Sequence, residues 1–568
     1  MTCKSISGCK NDVYKELDNC ALHCSEQDVD EKEFHDYLMS FYKLFSDHLH
    51  KEVEVEINRS RCKNKCELDE RDKDIEEYHM FIGGIKPEGI SASLTERIEK
   101  VAINFNEIQL PNDINMRYLD SESHMLLRML GKVMFIKCYF YSKNFSLYSN
   151  FYYKDCKFVD NFIVNPFPKI ENDESYRYVN CTFEKNVSIE PSDYSKEVFC
   201  NLFEDCNFKE DVKVINLIFK KNLIKLPDPL IAMKSQSTIT PNLIYKPDIN
   251  KIKELYDFKK IVIRDCKFDS SLKLNGWDED YIIELKSYKF YSRIEGLIID
   301  SLVILDTKFK SKLEIKNSII QNFEFKNSNV EGIFDTYESS LIKAKFYKSI
   351  FGDFAAFEYV VFGDCKRENI TEFIYTTFKD FSNFRNTEFK SGLNFSSVNI
   401  KQEPNFLDTK VSKEGTDRET FRIIKNSFEK SNNKIEAGKY HAYEMNAYMN
   451  ELSFCKNFWQ LSILHMNNLI SKFGQSYIRP LLLLIGCIAL YSYLLDFYQE
   501  VLQFRVHKIQ YGLEAFTEKL NTGARNFSPF ARFISNKRGF EFVSLFFYIV
   551  FAILIWQTIV AVKKQTQH

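Results

Sequence analysis

The sequence predicts a mainly β fold: a four-sided β-solenoid, then a helical connector, then a C-terminal two-helix transmembrane hairpin. Two observations carry this. Apolar residues recur every five positions through the middle of the chain, and two uncharged apolar runs stand near its end. A third, a cluster of cysteines at the N-terminus, predicts a small separate module. Leu341, Phe346, Phe351, Ala356 and Val361 step by five, each preceded at −2 by Ser339, Ala344, Ser349, Phe354 and Tyr359. Ile315, Ile320, Phe325 and Val330 repeat the step behind Leu313, Ser318, Phe323 and Ser328. A period of five fits neither a helix at 3.6 nor a flat strand at 2. It fits a chain that turns a corner every five residues and aims one large apolar side chain inward from each face. Four faces close a coil of about 20 residues, and stacked coils make a solenoid.

The triplet Cys-x-Phe recurs at Cys138/Phe140, Cys156/Phe158, Cys181/Phe183, Cys206/Phe208 and Cys266/Phe268. Thr307/Phe309, Thr371/Phe373, Thr376/Phe378, Ser382/Phe384 and Thr387/Phe389 continue the pattern. These motifs resemble the pentapeptide-repeat family, whose consensus is a small residue, a polar residue and a central Leu or Phe. The resemblance spans residues 130–405 and implies a right-handed quadrilateral β-helix, bounded here as 101–410. Proline-containing stretches at 165–178 and 219–258 break the period and are expected to bulge out as loop insertions. At about 4.8 Å between strands, roughly 10–12 coils would form a rod on the order of 50 Å long.

The 568 residues exceed one ordinary domain. With 52 Phe against 18 Gly, the composition suits a continuous aromatic core better than flexible linkers. A net charge of −2 gives no footprint for nucleic-acid binding, and no nucleic-acid partner is expected. It also weighs against an acidic DNA mimic. Of fifteen cysteines, five occupy the small position of the repeat, where Cys acts as a compact apolar residue. That usage fits a reducing compartment better than disulfides. The opening MTCKSISGCK has no apolar signal-peptide core, so the N-terminal bulk is expected in the cytoplasm.

The apolar runs cover residues 480–497 and 542–562, within a membrane region bounded as 476–568. Each approaches or exceeds the roughly 20 residues that cross hydrocarbon. The second passes without a charge, carries Trp556 near one end, and is followed by Lys563 and Lys564. The 44-residue connector, 498–541, holds seven basic residues, which opposes its translocation; a re-entrant or interfacial connector, with an amphipathic stretch at 501–519, relieves the conflict. Isolated Gly512, Gly523 and Gly539 cannot build a carbonyl filter of the Thr-x-Gly-Tyr-Gly type, which excludes a potassium-channel filter.

Ahead of the membrane, residues 411–475 read as a helical capping and connecting region. Phe421, Ile424 and Phe428 share one helical spacing, and Tyr440, Tyr443 and Ala447 another, with weak points at Asn432-Asn433 and Gly438. Arg422, Lys425, Glu444, Met445, Phe473, Gly474, Ser476, Arg479, Pro480, Gln557 and Ala561 resemble the pattern of a membrane-bound group of bacterial pentapeptide-repeat proteins with two C-terminal transmembrane helices. That resemblance implies an integral protein of the bacterial inner (plasma) membrane.

Residues 1–100 read as a Cys-rich module followed by an acidic helical region. The spacing Cys3-x5-Cys9-x10-Cys20-x2-His23-Cys24 offers four ligands for a structural Zn²⁺: Cys3, Cys9, Cys20 and Cys24, with His23 as the alternative to Cys24. Free thiols on a mobile terminus are the competing reading. Cys62 and Cys66 form a further pair. Residues 25–79 hold seventeen acidic and nine basic residues and read as a solvated helical region from Glu31 to about Glu56.

No catalytic motif is visible: no Gly-x-Ser-x-Gly, His-Glu-x-x-His, P-loop or dinucleotide fingerprint. The expectation is therefore a non-enzymatic, membrane-anchored scaffold that binds a still unidentified protein partner, with homo-oligomerisation left open. The alternative is a membrane effector or pore-forming protein, in stress or phage defence, gated by the cytosolic β-helix.

Overall fold

The computed structural model describes residues 3, 11–15, 19–59, 65–83, 90–113, 116–142, 148, 150–165, 174–192, 195–226, 257–274, 297–504, 517–518, 520–522 and 540–566. The chain divides into two compact units, Met1–Ser391 with Ser397–Lys410, and Gly392–Ser396 with Val411–His568.

The first unit is built on parallel strands in stacked sheets, a β-solenoid in general form. Its register gives the coil length. Ile304 pairs with Phe325, and Phe325 with Phe346; Phe309 pairs with Val330, and Val330 with Phe351. Each step is 21 residues, so one corner per coil takes six residues instead of five. The extra residue falls after Phe309: the next buried pair, Leu313 and Ile315, lies four and six residues on, so the inward step from Phe309 is to Ile315. Two coils later the same slip follows Phe351. Phe357 and Phe362 become the fully buried side chains, while Val361 is half-buried. The expected inward step to Val361 is thus displaced by one, and Phe354 and Tyr359 lie outside the small-residue row, with Tyr359 exposed.

The corners explain the slip. Asp306, Asn317, Asn327, Glu338, Lys348 and Tyr359 all take positive φ, between 48° and 57°, at alternating separations of 11 and 10 residues. Asn and Asp tolerate this left-handed region best among residues with a side chain, which is why polar residues mark these bends.

Inside, rings from successive coils lie face to face. Phe346 stacks on Phe373 at 4.3 Å and 4°, Phe357 on Phe384 at 4.7 Å and 2°, and Phe362 on Phe389 at 4.9 Å and 2°. These separations match the strand spacing, so each column of rings follows its ladder. The small row does more than fill space. Ser339 Oγ donates to Ile315 O at 2.8 Å, Cys156 Sγ to Phe135 O at 3.2 Å, Cys181 Sγ to Tyr153 O at 3.5 Å and Thr409 Oγ1 to Phe384 O at 2.7 Å. Each hydroxyl or thiol satisfies a carbonyl of the coil before, which a purely apolar reading of these cysteines omits.

Some coils are longer. Val214 pairs with Ile263, and Ile263 with Ile304, steps of 49 and 41 residues. Residues 227–256 and 275–296, which make up that excess, lie outside the described residues. The insertion expected at 219–258 is narrower than the sequence suggests, because Ile224–Lys225 and Asp257–Arg264 are strands. That expected at 165–178 loses its end to the strand Tyr176–Val179; residues 166–173 lie outside the described residues. On the surface, Lys308 pairs with Glu331 at 2.7 Å, Lys316 with Asp335 at 2.8 Å and Lys345 with Glu372 at 2.7 Å, bridging neighbouring coils.

Among the described residues this unit carries the α-helices α1 (Phe34–Arg59), α2 (Lys65–Ile82), α3 (Ala92–Ile98) and α4 (Ser121–Met129). α1 is a core helix, contrary to the solvated helix expected. Tyr37, Phe41, Phe45, Leu49, Val53 and Ile57 recur every four residues and are all buried. Phe45 stacks on Phe105 of the strand Ala102–Asn106 at 4.7 Å, which covers the aromatic column at that strand. The acidic side chains that suggested solvation occupy the remaining faces.

The second unit contains α5 (Arg418–Lys430), α6 (Lys434–Glu451), α7 (Phe458–Ser471), α8 (Ile478–Phe504) and α9 (Glu541–Thr566). The break expected at Asn432-Asn433 separates α5 from α6: Asn432 takes φ 60° and Asn433 caps α6 through Glu436 N. Lys425 and the buried Glu444 join these helices by an ion pair at 2.9 Å. α8 and α9 run antiparallel. Tyr491 donates to Ser544 Oγ at 2.9 Å, Tyr498 packs on Phe540 at 4.8 Å, and Ser471 donates to Gln557 Oε1 at 3.1 Å. Gly474, at φ 84°, takes a left-handed conformation that favours glycine, and a Cβ there would also crowd Lys564 Cδ at 3.0 Å.

α8 and α9 are long and apolar enough to cross a membrane, over Ile478–Tyr498 and Glu541–Lys564. Most of the basic connector, including its expected amphipathic stretch, lies outside the described residues.

Candidate metal centre

The N-terminal segment docks on the solenoid through its backbone. Gln109 N donates to Leu22 O at 2.9 Å, Gln109 Nε2 to His23 O at 3.3 Å, and Tyr37 OH to Cys24 O at 3.2 Å. Residues 20–24 form a tight turn, in which Cys20 O accepts from His23 N at 2.9 Å and from Cys24 N at 3.1 Å. A turn of this kind sets positions three apart on the same side. Cys20 and His23 therefore converge, and Cys24 faces elsewhere, donating its thiol to Asn19 O at 3.1 Å. Cys3 N donates to Asn11 O at 3.0 Å, which brings the Cys3 side chain to the turn.

The result is a buried trio, Cys3, Cys20 and His23, whose ligand atoms lie within 4.8 Å of one another. His23 Nδ1 stands 3.0 Å from Cys20 Sγ and 3.5 Å from Cys3 Sγ. Metal–ligand bonds of about 2.3 Å to sulfur and 2.0 Å to nitrogen, at a tetrahedral angle, would separate S and N by about 3.5 Å. The Cys3 contact meets that value, and the Cys20 contact is somewhat shorter. Burial pulls the His23 imidazole below its ordinary pKa, which keeps it in the neutral, ligating form. Burial, aided by Cys3, pushes the Cys24 thiol up to about 11, so Cys24 stays protonated on its carbonyl acceptor.

Of the ligands expected from sequence, the structure brings Cys3 and Cys20 together with His23, the alternative to Cys24. Cys24 lies outside the trio. Cys9 lies outside the described residues, as does Cys62, and the Cys66 side chain is likewise undescribed. The x2 spacing from Cys20 to His23, one turn, was the sequence signal that favours His23.

A second polar cluster joins α1 to α4. Ser123 Oγ contacts His50 Nε2 at 3.0 Å and donates to Asp120 Oδ2 at 2.9 Å, while Asp120 Oδ1 caps α4 at Ser123 N. The residue types match a hydrolytic triad, but the arrangement does not. Asp120 bonds the serine instead of orienting the histidine, and Ser123 is fully buried. Its chemistry is that of a helix cap.

Comparison with protein-family models, curated proteins and solved structures returned no match.

Proposed function

We propose that this chain is a membrane-anchored pentapeptide-repeat scaffold. In this reading the solenoid is a right-handed quadrilateral β-helix whose outward faces bind a protein partner, without catalysis. A structural zinc ion on Cys3, Cys20 and His23 fastens the N-terminal module. The apolar helix pair holds the protein in a bacterial inner membrane, with the N-terminal bulk in the cytoplasm. The observation that carries the anchor is exposure: only 11% and 17% of the apolar windows of α8 and α9 are buried. Core helices of a soluble protein would bury theirs. The parallel ladders, the rows of stacked Phe and the small-residue row support the repeat type, and the ion-paired outer faces suit recognition by shape more than by bulk charge.

The scaffold reading predicts that high expression leaves the cell's membrane potential intact, as read with a potential-sensitive dye. Depolarisation that a charge in the second span (Phe551→Asp) abolishes would replace it with a membrane effector.

A further inference from the structure

α7 has the wrong surface for water. Trp459, Ile463, Met466 and Leu469 form one stripe along it and are 79%, 66%, 56% and 69% exposed. Phe454 and Phe458 extend the stripe at its start, at 64% and 44% exposed. The opposite side is satisfied within the unit. Asn468 Nδ2 donates to Asn446 Oδ1 at 3.2 Å, Gln460 Nε2 donates to the Tyr448 hydroxyl at 2.7 Å, and Leu461 is buried. The helix thus turns its polar side to α6 and its apolar side outward, the inverse of a soluble surface helix.

We propose that α7 lies in the membrane interface, with this stripe immersed among the lipid headgroups and upper acyl chains. The inference rests on the reading of α8 and α9 as membrane spans. Continuity identifies the occupant. Only residues 472–477 separate α7 from α8, whose Leu482 and Ile485 are 62% and 57% exposed, so one apolar surface runs from one helix to the other. Between them is a groove of about 560 Å³ lined by Leu469, Leu482, Leu483 and Leu490, with Arg479 the one charged residue among the described lining residues. A groove with aliphatic walls and a cation suits an acyl chain beneath an anionic headgroup. Lys456 and Lys472 flank the helix and are exposed, where they meet phosphates. Trp459 has the amphipathic ring favoured at this depth. In-plane helices of this kind sink their apolar face roughly 5–10 Å.

The test uses the full chain in phosphatidylcholine–phosphatidylglycerol vesicles and follows tryptophan fluorescence. The chain has three tryptophans, so Trp277→Phe with Trp556→Phe leaves Trp459 alone, and Trp277→Phe with Trp459→Phe leaves Trp556. The proposal expects lipids brominated near the headgroup to cut Trp459 emission by roughly half, with aqueous acrylamide nearly without effect. If acrylamide quenches Trp459 and brominated lipid does not, while lipid quenches Trp556, the interfacial helix is overturned and the spans stand. If brominated lipid quenches neither, the spans fail and the proposal fails with them. Cross-linking of two copies through Met466→Cys, without lipid quenching of Trp459, would assign the stripe to a second copy and also overturn it.

Discussion

Phe346→Ala is expected to destabilise the solenoid by roughly 3–5 kcal/mol. The ring is fully buried and sits at a crossing of two directions of packing. Along the column it stacks on Phe373 at 4.3 Å; across the coil it meets Phe334 and Phe357 edge-on at 6.2 and 6.0 Å. Neighbours held by backbone ladders above and below cannot collapse into the space, so the cavity term adds to the lost transfer energy. The lowered urea midpoint of the first unit's β signal measures the effect. Lys343→Ala, on the exposed side of the same strand, is the control and should stay within about 0.5 kcal/mol. Equal shifts in the two variants would mean that the column of rings does not support the fold.

The second large effect concerns the metal. The purified chain is expected to carry one zinc, lost in Cys3→Ala, Cys20→Ala and His23→Ala and retained in Cys24→Ala. Elemental analysis after dialysis reads this directly. Removal by a chelator should lower the thermal midpoint of the N-terminal module and leave Cys20→Ala, already metal-free, unaffected. In small zinc peptides binding supplies about 10–16 kcal/mol at neutral pH. A smaller gain is expected here, because backbone bonds such as Gln109 N to Leu22 O already dock the segment. Acidification should release the ion, since thiolates and a neutral imidazole are the binding forms and protons compete for all three. Zinc retained in His23→Ala but lost in Cys24→Ala would restore the all-cysteine set expected from sequence.

The sequence revealed much of the scaffold because the solenoid writes its geometry as a period. Phe325, Phe346 and Phe351 are inward where the five-step places them. The period could not reveal the six-residue corner, since Ala356 and Val361 are apolar enough to continue the wrong register past Phe351. Only the pairing of Thr336 N with Ala356 O, and of Phe357 N with Asn383 O, fixes the true one. Proline marked one long insertion, but residues 275–296 contain no proline and went unmarked. The net acidity of α1 hides a four-residue spacing of buried residues from Tyr37 to Ile57, which is what makes it a core helix. At the candidate metal centre, the spacing offers Cys3, Cys20 and His23, but only the turn at residues 20–24 shows that His23 joins the two cysteines and Cys24 faces away. α7 falls within the helical region expected at 411–475, but its uncovered face has no signature in the sequence. Its apolar residues look like a core stripe until the structure leaves them uncovered.

The most direct measurement is membrane flotation after an alkaline wash, comparing the full chain with a chain ending at residue 475. The account predicts that the full chain floats with the bilayer after the wash, whereas the shortened chain is released by it while keeping its β-rich circular dichroism. Release of the full chain by the wash would contradict a membrane-spanning anchor.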